Sequence, residues 1–374
     1  MTGDDQDTHF MRHALRLARR AAGRTWPNPH VGCVIVRPGP DGAPVIAGRG
    51  ATAQGGRPHA ETIALAQAGD AARGATAYVS FEPCAHHGQT PPCANALIEA
   101  GVARVVCALG DPDPRVNGRG LGLLREAGIE VRTGVLEAEA RRVAAGFLSR
   151  IERGRPLVTL KLATSLDGRI ATASGHSRWI TGPEARARGH LLRARHDAIL
   201  IGSGTALADD PALTCRLPGL EARSPVRVVM DGQLRLPPDS ALARTARETP
   251  VWLVTRAGHE GAALSRLKER GVNVIEIEGP QGAPLEPAHV LSMLAERGIT
   301  RLLVEGGARV ASAFWKAHLV DRVIWFRAPL ALGGDSRPAI EALNLAGPDA
   351  APRLTRRAVH ACGEDMVETY DVRT

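Results

Sequence analysis

Apolar and polar positions recur along this chain with two periods, and the switches between them predict helices alternating with strands. Residues 10–22 place Met11, Leu15 and Ala18 on one stripe, the mark of an amphipathic helix. VGCVIV at 31–36 reads as a short apolar strand, and a turn-rich segment at 38–44 leads to a second strand near 45–48. Helices over 60–68, 94–100 and 120–126 then alternate with strands over 75–80, 102–108 and 130–134. A helix over 137–153 closes this half, broken by Gly154 and Pro156. A fresh strand, LVTLKLA, begins at Leu157, so the boundary divides the chain into 1–153 and 154–374. The second half repeats the alternation. Strands are predicted at 198–202, 226–231, 251–255, 272–277 and 301–305, helices at 183–194, 291–297 and 311–317, and strand-like segments at 325–329 and 367–372. Each half is expected to be an α/β domain with helices on the faces of its sheet.

Composition narrows the class. A length of 374 residues suits two domains, and 44% apolar residues suffice for two cores. No apolar run is long enough to span a membrane, so no membrane partner is expected. The chain opens on acidic and polar residues without a basic patch and apolar segment, which points to the cytoplasm. The net charge is +8, yet the arginines are scattered among carboxylates, and aromatics, at 3%, offer few platforms for stacking bases. The charge therefore suits a small acidic substrate, such as a phosphate ester, better than nucleic acid. Six cysteines are too few for a disulfide scaffold and direct attention to metal or catalysis.

The strongest chemical signal is His59-Ala60-Glu61 followed by Pro83-Cys84 and, further on, Cys93. Zinc favours nitrogen and thiolate donors, and a catalytic zinc keeps three protein ligands and a fourth place for water. His59, Cys84 and Cys93 supply those three, one zinc per chain. Glu61, two residues from a ligand, is placed to take a proton from the water and return it to a leaving amine. Nucleobase deaminases show this order, H-x-E then P-C-x-x-C. Here eight residues, AHHGQTPP, separate the cysteines instead of two, so the loop must fold back, bringing His86 and His87 near as substrate contacts or rival ligands. A structural zinc is the rival reading, and it would want a fourth protein ligand.

In the second half, the segment 161–181 carries an Asp-Gly turn and another at Ser174-Gly175. The small and polar residues at 202–205 and 208–211 are expected to form a loop that a ligand can approach closely. Val304-Glu305-Gly306-Gly307 follows a strand and opens a helix, whose first N–H groups suit a phosphate. A plain strand-to-helix turn explains the glycine pair equally well, and this is not the G-x-G-x-x-G fingerprint.

Asn28-Pro29-His30-Val31-Gly32, His59-Ala60-Glu61, Glu82 to Gly88, Thr90-Pro91-Pro92-Cys93 and Asp111-Pro112-Asp113-Pro114 together resemble the deaminase half of the RibD family of bifunctional riboflavin biosynthesis enzymes. That family carries the long insert between its cysteines. LADDPALTCR, ending at Arg216, and PVRVVMD at 225–231 are similar to its reductase half, so the resemblance covers nearly the whole chain. It implies a cytidine-deaminase-like α/β/α layer followed by a dihydrofolate-reductase-like α/β domain. The implied reactions are deamination of 2,5-diamino-6-ribosylamino-4(3H)-pyrimidinone 5′-phosphate and reduction of the product's ribosyl group to ribityl by NADPH. The resemblance further implies that Asn28 holds the pyrimidine. Ala163, Trp179, Thr205, Asp209 and the turn Gly307, Ala308, Arg309, Val310, Ala311, Ser312 and Ala313 would contact NADPH. Ser177, Arg193, Leu213, Arg216 and Glu305 would lie toward the substrate, with Arg193 and Arg216 offering a fork for its phosphate. Lys161, Asp209 and Glu305 stay open as proton donors for the reduction. A homo-oligomer is expected. The chain departs from the pattern at Thr52, where many relatives have His, and at Gln89, where many have a cation; both positions would line the substrate loop.

Overall fold

The computed structural model describes residues 3–85, 91–113, 116–280 and 282–373. His86, His87, Gly88, Gln89, Thr90 and Pro114 of the motifs above lie outside the described residues. The chain forms two compact units, Met1–Arg155 and Pro156–Thr374.

The first unit runs α1 (Gly3–Ala21), β1 (Gly32–Pro38), β2 (Pro44–Ala51), α2 (Ala60–Ala68), β3 (Thr76–Val79), α3 (Cys93–Glu99), β4 (Arg104–Cys107), α4 (Arg119–Glu126), β5 (Glu130–Thr133) and α5 (Glu137–Arg153). Its sheet has the order β2-β1-β3-β4-β5, with β1 antiparallel to both neighbours and β3, β4 and β5 parallel. Helix α1 starts seven residues before the apolar stripe, for an electrostatic reason that hydrophobic periodicity does not carry. Its first turn holds Asp4 and Asp5, which suit the positive helix end. Asp7 is buried against Tyr78 Oη at 3.0 Å and paired with Arg104 and Arg132 at 2.7 and 2.8 Å. Two glycines bring helices down onto the hairpin backbone. A Cβ on Gly32 would lie 2.0 Å from Ala14 O, and one on Gly50 2.1 Å from Ala60 O. Gly50 thereby seats the first turn of α2, the turn that carries Glu61.

The second unit runs β6 (Leu157–Thr164), β7 (Arg169–Ala171), α6 (Pro183–Arg193), β8 (Ala198–Gly202), α7 (Ser203–Asp209), β9 (Val226–Met230), α8 (Ala241–Arg244), β10 (Val251–Arg256), α9 (Ala262–Glu269), β11 (Asn273–Ile277), α10 (Pro287–Glu296), β12 (Arg301–Val304), α11 (Ala308–Lys316), β13 (Arg322–Arg327), β14 (Arg337–Pro338), β15 (Leu354–Cys362) and β16 (Asp365–Val372). Nine strands form one sheet in the order β11-β10-β9-β8-β12-β6-β13-β16-β15. The pairs from β11 to β13 are parallel, and β16 and β15 add an antiparallel edge. The parallel strand Ala198–Gly202 is wholly buried, hence its unbroken apolar run, and Leu157–Thr164 is buried except at Lys161 and Ala163, which are half-buried. Edge strand β15, LTRRAVHAC, is mostly exposed and lacks an apolar face, so its sequence gives no strand signal. The expected loop at 203–209 is instead the helix α7. Its serine, glycine and threonine tolerate both states, and burial of Ser203 and Ala206 decides between them. No helix among the described residues is long and apolar enough to cross a membrane.

Candidate active sites

In the first unit, β-strand ends and helix starts converge on three donor atoms. His59 is the N-cap residue of α2, and Glu61 lies in that helix's first turn. Cys84 follows β3 and its extension, and Cys93 is the first residue of α3. The ligand atoms of His59, Cys84 and Cys93 all lie within 4.8 Å of one another. His59 Nδ1 stands 3.2 Å from Cys93 Sγ and 3.6 Å from Cys84 Sγ. The start of α3 is bonded directly to Cys84: Cys93 N donates to Cys84 Sγ at 3.3 Å and Ala94 N to Cys84 O at 3.2 Å. Hydrogen bonds from the Cys93 side chain, His59 and the Cys93 backbone hold the Cys84 thiol down to about 4 against the opposing effect of burial. One imidazole nitrogen and two sulfurs, with no fourth protein ligand beside them among the described residues, fit a tetrahedral zinc with an open position. Glu61 is buried, and that burial pushes its carboxyl up to about 7, where it can accept and release a proton near neutrality.

The surrounding loops are fixed through backbone groups. Asn28 is half-buried, and its Nδ2 donates to Gly56 O at 3.3 Å. Gly56 has φ +84° and a Cβ there would strike Asn28 Nδ2 at 2.2 Å, so glycine is required for that contact. The Thr52 hydroxyl is engaged by the backbone of the Asn28–Val31 segment. It is buried, accepts from Val31 N at 2.9 Å and donates to Pro29 O at 3.3 Å, fastening the Asn28–Val31 segment. Glu82, which carries no role in the motif that contains it, accepts from Asp111 N, Gly118 N and Gly120 N at 3.0–3.2 Å and anchors the segment before Cys84. The remaining cysteines, Cys33, Cys107, Cys215 and Cys362, are buried and unbridged.

The second unit holds a cavity of about 680 Å³ at the carboxyl ends of its parallel strands. Ser177, Thr205, Asp209, Gly307, Ala308, Arg309, Val310 and Ala313 line it, as far as the expected set is concerned. Thr205 Oγ1 accepts from Gly307 N at 3.1 Å, joining α7 to the start of α11. Val310 packs so closely on Gly202 and Gly306 that a Cβ there would come within 2.8 and 2.6 Å of it. Four expected cofactor contacts lie off the cavity wall. Ala311 and Ser312 face the core, Ser312 Oγ accepting from Glu341 N at 2.7 Å, because every third and fourth residue of a helix shares a face. Ala163 packs with the cluster around Phe326. Trp179 is 68% exposed, with the Arg186 guanidinium 4.6 Å from its ring centre.

The expected substrate side is an ionic cluster beside that cavity. Arg193 Nε and Nη2 donate to the two Glu305 oxygens at 2.9 and 3.0 Å, and Nη1 to Thr214 O at 3.1 Å. Its fork is thus engaged by a carboxylate, which removes it as a phosphate fork. Lys161 Nζ lies 3.6 Å from Glu305 Oε2. Burial would raise Glu305, but the Arg193 and Lys161 charges outweigh it and hold the carboxyl at about 2. With these partners Glu305 is ionised at neutral pH and acts as a hydrogen-bond acceptor. Leu213 has φ +54° and its side chain is in the core, while Arg216 is exposed, its backbone N–H bonded to His190 Nδ1 at 3.3 Å. The wall residues Arg235, Arg337 and Ala283 to Leu285 escaped the sequence reading. Arg337 opens the two-residue strand β14 and the others come from loops; none belongs to a motif, and nothing local marks them.

Two family models match the chain: the cytidine and deoxycytidylate deaminase zinc-binding region over residues 4–109, and the RibD C-terminal domain over 156–368. Riboflavin biosynthesis protein RibD of Escherichia coli is 43% identical over 372 residues, covering 96% of this chain and 98% of its own. The solved structure of Acinetobacter baumannii RibD superposes with a TM-score of 0.87 at 37% identity, covering 99% of this chain and all of that one. The diaminohydroxyphosphoribosylaminopyrimidine deaminase/5-amino-6-(5-phosphoribosylamino)uracil reductase of Thermotoga maritima gives 0.85 at 33% identity, with 99% of each chain covered.

Proposed function

The chain belongs to the RibD family of bifunctional riboflavin biosynthesis enzymes, a zinc-binding pyrimidine deaminase domain joined to a pyrimidine reductase domain of the NADPH-using type, and from that premise we propose how its residues divide the two reactions. His59, Cys84 and Cys93 hold zinc, one per chain. When bound, zinc supplies a Lewis acid that lowers the pKa of water to near neutrality. Glu61 takes a proton from the attacking water and passes it to the exocyclic nitrogen that leaves as ammonia, while the ring carbon gains the oxygen. Asn28, held by Gly56, orients the pyrimidine. The observation that carries this reading is the meeting of three soft donors within 4.8 Å beside a buried carboxylate.

In the second unit the cavity along α7 and the start of α11 takes NADPH, which supplies the hydride. Glu305, fixed by Arg193, orients Lys161, whose ammonium gives the proton that the reduced ribosyl oxygen needs. Arg216 is the guanidinium for the substrate phosphate. The enzyme works in the cytoplasm as a homo-oligomer, on small phosphorylated pyrimidines, with no nucleic-acid partner. The test is metal analysis with the two steps assayed separately: ammonia release from the diaminopyrimidine phosphate, and NADPH oxidation on the deaminated product. A metal-free protein with full deaminase activity would refute the first assignment, and NADPH oxidation unaffected by Lys161→Met would refute the second.

A further inference from the structure

At the carboxyl end of β9 a carboxylate and a guanidinium stand four residues apart with opposite exposures. Asp231 is fully buried; Oδ2 accepts from Leu236 N at 2.7 Å, and Oδ1 lies 3.8 Å from Arg235 Nε. The Arg235 side chain is 45% exposed and lines the cavity, with Nη2 donating to Ser203 Oγ at 2.6 Å. The Ser203 bond uses one of the fork's five donors, while Nε stands at ion-pair distance from the buried Asp231 carboxylate.

The neighbourhood of Arg235 suits the adenosine end of a dinucleotide. Gly232 packs on the turn before α10, where a Cβ would meet Leu285 Cγ at 3.5 Å and Ala283 O at 3.6 Å. Ala283, Pro284 and Leu285 give the cavity an apolar wall there. In the sheet, β8 separates β9 from β12, and Gly307 with the first turn of α11 follows β12. Arg309 thus stands nearer the middle, and Arg337, whose guanidinium would lie 3.0 Å from a Cβ on Gly175, belongs to the side of β7. A ribose 2′-hydroxyl calls for a carboxylate acceptor, whereas a 2′-phosphate calls for a guanidinium and is repelled by a carboxylate. Here the carboxylate is withdrawn into the protein and the cation faces the cavity.

We propose that Arg235 reads the 2′-phosphate of the cofactor and makes the reductase select NADPH over NADH. This rests on the reading that the dinucleotide lies in this cavity. Titration calorimetry on the full-length protein with 2′,5′-ADP and with ADP-ribose tests it. Arg235→Gln is expected to bind 2′,5′-ADP roughly 10–100-fold more weakly and ADP-ribose unchanged, with Arg235→Lys in between. Unaltered 2′,5′-ADP binding, or an equal loss for both ligands, would overturn the proposal. So would a raised KM for the pyrimidine with 2′,5′-ADP binding intact, which would assign Arg235 to the substrate phosphate. Ala208→Trp, which fills the cavity, is expected to lose both ligands. Retention of both by that variant would overturn the cavity reading itself, independently of what Arg235→Gln does.

Discussion

The two sites are built on opposite plans. The deaminase centre draws its metal donors and its acid–base group from residues 59 to 93, and the donor atoms already lie within 4.8 Å of one another. The reductase cavity, about 680 Å³, takes its wall from residues between 170 and 341 that come together only at the strand ends of a nine-stranded sheet. A metal tolerates little error in donor position, so its ligands sit on adjoining helix starts and one strand end. A dinucleotide spreads its contacts over a long surface, each of them individually weaker. Compactness also makes the first site brittle, with single substitutions expected to abolish its function, whereas the second should lose function in steps.

The largest expected effect tests that brittleness. Cys84→Ser replaces a thiolate with a poor zinc donor, so metal content and ammonia release should both fall to background. NADPH oxidation supplied with deaminated substrate should stay at the wild-type rate. Full zinc occupancy and activity in Cys84→Ser would remove the donor set from the reaction. Glu61→Gln sharpens the same contrast within the first site. The amide keeps the shape but cannot accept a proton, so kcat should drop roughly 10²–10⁴-fold with zinc retained. Loss of zinc instead would make Glu61 a ligand.

In the second unit the largest single effect is expected at Glu305. Glu305→Gln leaves Arg193 buried without its carboxylate, and removing one partner of a buried pair costs about 3–5 kcal/mol. Calorimetry should show the reductase unit melting earlier, with NADPH oxidation reduced and ammonia release intact. The pH dependence has a defined sign. Glu305 is held at about 2 against an ordinary 4.5, so its stabilisation is complete above pH 4.5 and is lost as pH falls from there toward 2. The stability gap between wild type and Glu305→Gln should accordingly be widest near neutrality and shrink as the pH is lowered below about 4.5. A gap that widens in acid would contradict an ionised Glu305.

What could be read from the sequence follows the same division. His59, Glu61, Cys84 and Cys93 were legible because zinc chemistry imposes residue types and order, and the structure brings the three donors together as their spacing required. Helices over 60–68 and 137–153 and the strand over 198–202 were legible because their periodicity or apolar run is strong. Helix α1 was read short because its first turns rest on Asp7 and two arginines instead of apolar spacing. Strand β15 went unread because an exposed edge needs no apolar face. In the reductase unit the glycines at 306 and 307 marked a turn, but nothing local could show that Arg193 is engaged by a carboxylate 112 residues away or that Arg235 reaches the cavity. Those facts belong to the sheet order, which brings distant segments together.

Thr52 carries the smallest effect and probes whether the loops of the first site are as fixed as its metal centre. The resemblance leads one to expect His there and a contact with substrate. The structure instead places the hydroxyl between Val31 N, at 2.9 Å, and Pro29 O, at 3.3 Å, in a buried setting. Thr52→Val keeps the volume and removes both bonds, leaving the buried Val31 N–H without its acceptor, at a cost of about 1–3 kcal/mol. The melting temperature of the deaminase unit should fall modestly, and the Val31 amide should exchange its hydrogen faster. Thr52→Ser, which retains the hydroxyl, should restore both. Zinc content should not change, because neither bond touches a donor atom, and the deaminase KM should rise only as far as Asn28, three residues from Val31, loses its position. A large rise in KM with unchanged amide exchange would mean that the hydroxyl addresses the substrate directly, and that the loop is held rigid by Asn28 and Gly56 alone.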